Sequence, residues 1–106
     1  TIYKSIRKTG RVLVLDMGAK TGSVASDIIA NISINSFSNL KNAPCVIAMP
    51  DVPVPTSFGL TKNFYPSTNT IIEKIFFIFR KRVKYNKNLF RSLPHDVPGK
   101  FFKGPF

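Results

Sequence analysis

Few residues in this 106-residue chain could do chemistry, and the first stretch to test is the loop Asp16-Met17-Gly18-Ala19-Lys20-Thr21-Gly22. Two glycines and a lysine suggest a phosphate loop. The Walker pattern, however, needs Lys and then Ser or Thr directly after its second Gly, at the start of a helix. Here Lys20 comes before Gly22, and the spacing also misses the GxGxxG of dinucleotide sites. The loop reads as a plain strand-to-helix turn. The single histidine, His95, sits in a proline-rich stretch with no carboxylate–His–nucleophile arrangement around it, so it reads as a surface residue rather than a general base. The single cysteine, Cys45, opens an apolar run and reads as a buried, inert thiol. One Cys, one His and five scattered acids cannot assemble a metal site of the usual spacing. Two acids stand out by position. Asp16 and Asp51 each follow an apolar run that reads as a strand, and open parallel sheets place their sites beyond the carboxyl ends of their strands. For both, the primary expectation is a carboxylate capping its own turn through backbone amides.

The elements that position these residues follow from periodicity. Ile2 and Ile6, spaced i, i+4, predict the end of a helix, with Lys4, Arg7 and Lys8 off the stripe and Gly10 where a C-terminal cap belongs. Residues 12–15 predict a strand buried on both faces, as in a parallel sheet. Ser23 caps the helix that follows, whose stripe is Val24, Ile28 and Ile32, widened by Ala25 and Ile29. It fades near Leu40, and a second strand covers residues 45–49. Strand, helix, strand over about forty residues is a right-handed crossover with parallel strands. The next stretch, Met49-Pro50-Asp51-Val52-Pro53-Val54-Pro55, is neither helix nor central strand, because each proline fixes its own dihedral and restricts the residue before it. It is a stiff, extended connector. Phe58, Leu60, Phe64 and Tyr65 read as an irregular aromatic stretch. Ser67 or Thr68 then opens a second helix with Ile71, Ile75, Ile78 and Phe79 on one face. Residues 1–83 form the α/β unit, and residues 84–106 a basic, Pro/Phe-rich tail. Phe101, Phe102 and Phe106 favour an extended arm on a partner over disorder.

Net charge is +11, from sixteen Lys/Arg against five acids. That balance suits nucleic acid, an anionic surface or an acidic protein. Six basic residues lie within residues 80–91, and Lys4, Arg7, Lys8 and Arg11 form a second group. A solvated basic face explains them equally well. No apolar run approaches the ~20 residues that span a bilayer, and no h-region of a signal peptide follows the first cations. The lone cysteine fits a reducing compartment, with the cytoplasm as the default location.

The runs TGRVLVLDMGAKTGSVASDIIANI and APCVIAMPDVPVPTSFGLTKNFYPS, followed by an amphipathic helix, resemble the C-terminal domain of the beta subunit of thiamine-diphosphate-dependent 2-oxoacid dehydrogenases, within the transketolase superfamily. The likeness covers about residues 1–80. Its most specific part is residues 48–55, and next come Thr21-Gly22 and Tyr65-Pro66. It implies a three-layer α/β/α fold with a mostly parallel sheet. It also implies a strand–helix–strand upstream of Thr1, so that this chain is a partial domain with open sheet edges and half-covered helix faces. In such enzymes thiamine diphosphate and magnesium lie between other domains. The resemblance therefore implies no catalytic, cofactor-binding or metal-binding residue here, and a role in assembly with other subunits of a 2-oxoacid dehydrogenase complex. The residues expected to make contact are Asp51, Val52, Pro53, Val54 and Pro55, with Phe58 and Tyr65 beside them. The isolated chain is expected to be a homo-oligomer. The rival expectations are a fragment that keeps the fold without the activity, or a small nucleic-acid-binding module in which residues 80–91 track phosphates and Tyr85 or Phe90 stack on bases. The second has only the charge behind it.

Overall fold

The computed structural model describes residues 1–82, 84–90 and 103–104. Helices flank a small parallel sheet, in the order α1 (Ile2–Thr9), β1 (Leu13–Ala19), α2 (Val24–Ser36), β2 (Cys45–Met49), α3 (Phe58–Phe64) and α4 (Thr68–Ile78). Short 3-10 turns cover Phe37–Asn39 and Lys87–Phe90. This is the α/β class expected, with the predicted parallel crossover: Leu13, Val14 and Leu15 pair with Cys45, Val46 and Ile47.

Both expected serine caps form. Ser23 accepts from the Ser26 N–H at 3.2 Å and Ser67 from the Thr70 N–H at 3.2 Å, each satisfying a donor that a helix start leaves free. Gly10 ends α1 in the left-handed region at φ 68°, its N–H donating to the Ile6 carbonyl. The end of α4 has the same geometry without a glycine. Arg80 has φ 53°, its N–H donates to the Phe77 carbonyl, and the Lys81 N–H donates to the Phe76 carbonyl. That is the Schellman pairing, with arginine where glycine is favoured. The Ile78 carbonyl is taken by the side chains of Arg11, at 3.4 Å, and Asn42. The Arg11 guanidinium also lies 4.8 Å from the centre of the Phe79 ring. Arg11, grouped by sequence with the surface cations, is thus a clamp between the start of β1 and the end of α4.

Three expectations need correction. β1 continues to Ala19, past the expected end at Leu15, through an irregularity between Leu15 and Ala19. It is also only partly covered: Leu15 is 54% and Met17 79% exposed. A two-stranded sheet has too little helix over it to bury both faces. Finally, residues 58–64 are helical rather than irregular. The Leu60 and Thr61 N–H groups donate to the Ser57 carbonyl, and Thr61 and Phe64, three apart, turn inward. Gly59 and the short length hid that period.

α2 lies against both strands and α1 against α2. Side chains alternate across a strand, so Leu15 and Ile47 face away from Asp16 and Val46. Ile71 of α4 lines a groove with Leu15 and Ile47, while the Asp16 carboxylate meets the start of α2. Helices therefore stand on both faces. The core is small: Ile6, Ala25, Ile32, Ile47, Met49, Phe64 and Ile78 are buried. Residues 85–87 return to α4. The Tyr85 hydroxyl donates to the Asn69 carbonyl at 3.2 Å, and Lys87 pairs with Glu73, which lifts the Lys87 pKa. His95, Phe101, Phe102 and Phe106 lie outside the described residues.

Candidate interaction site at the strand ends

The carboxyl ends of β1 and β2 carry the two turns singled out above. The β ladder runs one step past the strands, where the Lys20 N–H donates to the Met49 carbonyl at 2.9 Å. That bond brings residues 16–22 beside residues 50–55. Asp16 accepts from the Gly18 N–H at 2.9 Å, the local capping expected, but inside the irregular half of β1 rather than in a turn beyond the strand. Its second oxygen accepts from the Ala25 N–H at 3.0 Å and so also caps α2. These amides, with Gly18 first, hold the Asp16 carboxyl below its ordinary value.

Asp51 does something other than the expected capping of the proline turn. It accepts from the Thr21 N–H at 2.8 Å with one oxygen and from the Thr21 hydroxyl at 2.6 Å with the other. The proline turn closes without it, the Val52 N–H donating to the Pro50 carbonyl at 2.8 Å. Asp51 therefore ties one strand-end loop to the other. The Thr21 hydroxyl first, and then its N–H, hold the Asp51 carboxyl below its ordinary 3.8. A depressed carboxylate stabilises the fold above the unfolded-state pKa and loses that contribution as pH falls through the folded one. Stability is expected to drop in acid below about pH 4, and Asp51→Ala should flatten that limb in urea titrations run across the range. The Thr21 amide should also exchange faster with solvent in the variant. An unchanged acid limb and unchanged exchange would show that the clasp does not hold in solution.

Beside the clasp lie two apolar hollows of about 280 and 270 Å3 that share Met17, Met49 and Tyr65. The first extends to Leu15, Ile47 and Ile71, the second to Val52, Val54 and Phe64. Of the seven residues expected to make contact, Val52, Val54 and Tyr65 thus meet at one groove. Val52 and Val54 are 59% and 60% exposed, an unusual state for two branched apolar side chains on a stiff connector. Pro53 is exposed, Pro55 half-buried, and neither lines the groove; Phe58 opens α3 and is 65% exposed. Asp51 holds the connector in place from behind.

Sequence reasoning missed Thr21, Met17, Met49 and Phe64. Met17 was legible: continuing the strand alternation past Leu15 puts it on the Leu15 face. Thr21 was not, since nothing local links it to a residue thirty positions away. The rival base-stacking role of Tyr85 finds its ring half-buried, 6.0 Å from Phe76, with its hydroxyl engaged. The side chain of Phe90 lies outside the described residues. Cys45 is half-buried, its thiol 3.7 Å from the Ala43 carbonyl. No group of three or more His, Cys, Asp or Glu that could hold a metal occurs among the described residues. No described helix is long and apolar enough to cross a membrane.

Comparison with known proteins places this arrangement. Residues 1–71 match the family described as transketolase, C-terminal domain. The chain is 36% identical over 75 residues to the pyruvate dehydrogenase E1 component subunit beta of Mesostigma viride, covering 71% of this chain and 23% of that protein. It is 41% identical over 59 residues to the subunit of the same name from Mycoplasma pneumoniae, covering 56% and 18%. It is also 32% identical over 71 residues to the beta subunit of an acetoin:2,6-dichlorophenolindophenol oxidoreductase from Cupriavidus necator, covering 67% and 21%. The chain spans about a fifth of the length of these curated relatives. With its parallel crossover, serine-capped helix and proline connector, the chain belongs to the transketolase C-terminal domain family, in the form carried by 2-oxoacid dehydrogenase beta subunits.

Proposed function

We propose that this chain is a non-catalytic assembly domain of the beta subunit of a 2-oxoacid dehydrogenase, the decarboxylating component, and that the strand-end groove is its contact surface. The parent reaction would be oxidative decarboxylation of a 2-oxoacid, with transfer of the acyl group to a lipoyl carrier. Thiamine diphosphate and magnesium would be held by other domains of the parent. What supports the reading is one juxtaposition: exposed Val52 and Val54, on a connector stiffened by prolines and tied down through Asp51, border an apolar groove. An ordered connector loses little conformational entropy on docking, so more of the apolar burial remains as affinity. Exposed apolar side chains elsewhere, such as Val24 and Ile34 on α2, are in keeping with further contacts to partner subunits or to a second copy.

The test is sedimentation velocity across a range of chain concentrations, with Val52→Asp and Val54→Asp introduced together. The intact chain should self-associate, and the double variant should need at least about tenfold higher concentration to do so. A monomer that folds cooperatively at every concentration would overturn the oligomer. Titration with magnesium thiamine diphosphate should give no heat, and binding with useful affinity would overturn the division of labour.

A further inference from the structure

The cations are separated in the sequence but not in the fold. Arg7 and Lys8 lie in the last turn of α1, at the amino ends of the strands. The Lys41 N–H donates to the Gly10 carbonyl, which brings Lys41 to the same end. Arg80, Lys81 and Arg82 arrive there from the other side of the sheet, because Arg11 and Asn42 hold the last carbonyl of α4. All six are exposed, and none has a carboxylate partner among the described residues. The four described acids are elsewhere. Asp51 sits past the opposite end of β2, Asp16 in the irregular half of β1 toward that end, Asp27 in the first turn of α2, and Glu73 is paired with Lys87 along α4. The β ladder is spanned by the five residues of β2, so roughly 15 Å separates its two ends. Like charges gathered this way repel one another, and a ligand of opposite charge relieves that.

Within the basic end, a cleft of about 270 Å3 is lined by Asn42, Ala43, Phe77, Ile78 and Arg80. Its apolar surface suits a side chain such as Leu or Phe. Arg80 at its rim matches a carboxylate, which a guanidinium grips in a two-pronged fashion. Stacked bases are a poorer match, because one face of each neighbouring ring is already covered by a cation: Arg11 on Phe79 at 4.8 Å and Lys74 on Phe77 at 5.3 Å. We propose that the amino ends of the strands form a second interaction surface, which takes an acidic polypeptide segment bearing an apolar anchor. The surface is independent of the groove at the other end, so its failure leaves the assembly reading untouched.

Fluorescence anisotropy with the full chain tests this, using a labelled peptide that alternates Glu and Asp with Leu and Phe. Arms with an oligothymidine of equal charge and with anionic phospholipid vesicles run alongside. The peptide should bind, weaken as salt rises, and lose at least about tenfold affinity in an Arg80→Glu, Lys81→Glu variant. Circular dichroism confirms that the variant folds. Lys62→Glu on α3, which changes net charge away from this end, should leave binding intact. The proposal is overturned if the peptide does not bind, if Lys62→Glu weakens it as much as the double variant, or if oligothymidine or vesicles bind more tightly.

Discussion

Ile32→Ala is expected to cost about 2–5 kcal/mol of stability. Ile32 is 2% exposed and is the largest side chain buried to that degree. It sits on α2, which touches α1 and both strands. Removing its outer carbons leaves a cavity, and a core of so few residues has little to repack with. A urea titration followed by circular dichroism measures it. For a domain this size the midpoint should fall by about 1 M or more, or the cooperative transition should vanish. A shift within experimental scatter would mean that α2 docks less tightly than its burial implies. Ile34→Ala on the same helix serves as the control, since Ile34 is 79% exposed.

Gly10→Ala is expected to be damaging as well, for two separable reasons. The backbone at φ 68° is left-handed, where a Cβ costs about 1–2 kcal/mol. In addition, that Cβ would lie 2.7 Å from Cγ of Lys41 and 2.9 Å from the Asn39 carbonyl oxygen. The lysine stem can swing aside, but the carbonyl belongs to the backbone of the turn leading into β2. Gly22 separates the two effects. It has φ 67°, but a Cβ there meets nothing within 4 Å. Gly22→Ala should therefore show the dihedral cost alone, and Gly10→Ala should exceed it in the same denaturation assay. Equal losses would mean that the turn gives way freely. Because the Lys41 stem lies over Gly10, the substitution also disturbs the basic end without changing its charge.

Local pattern determined much of this protein. The Ile periods placed α2 and α4, though Val24, expected on the core stripe of α2, is 70% exposed because the buried face runs through Ala25 and Ile32 instead. Ser23 and Ser67 marked the helix starts, Gly10 marked the end of α1, and the strand–helix–strand order dictated a parallel pair. The three prolines made the connector extended, since their dihedral constraint needs no partner. α3 escaped because seven residues with two buried positions give too weak a period to read. What local pattern could not hold was any relation between distant residues. That Asp51 would grip Thr21 rather than its own turn, that Arg11 would clamp the last carbonyl of α4, and that Arg7 and Lys8 would meet Arg80, Lys81 and Arg82 at one end were decided by the packing of the helices on the sheet. A carboxylate or guanidinium has the same intrinsic chemistry in any loop. Its partner is whichever donor or acceptor the fold brings within about 3 Å, and only the tertiary structure sets that distance.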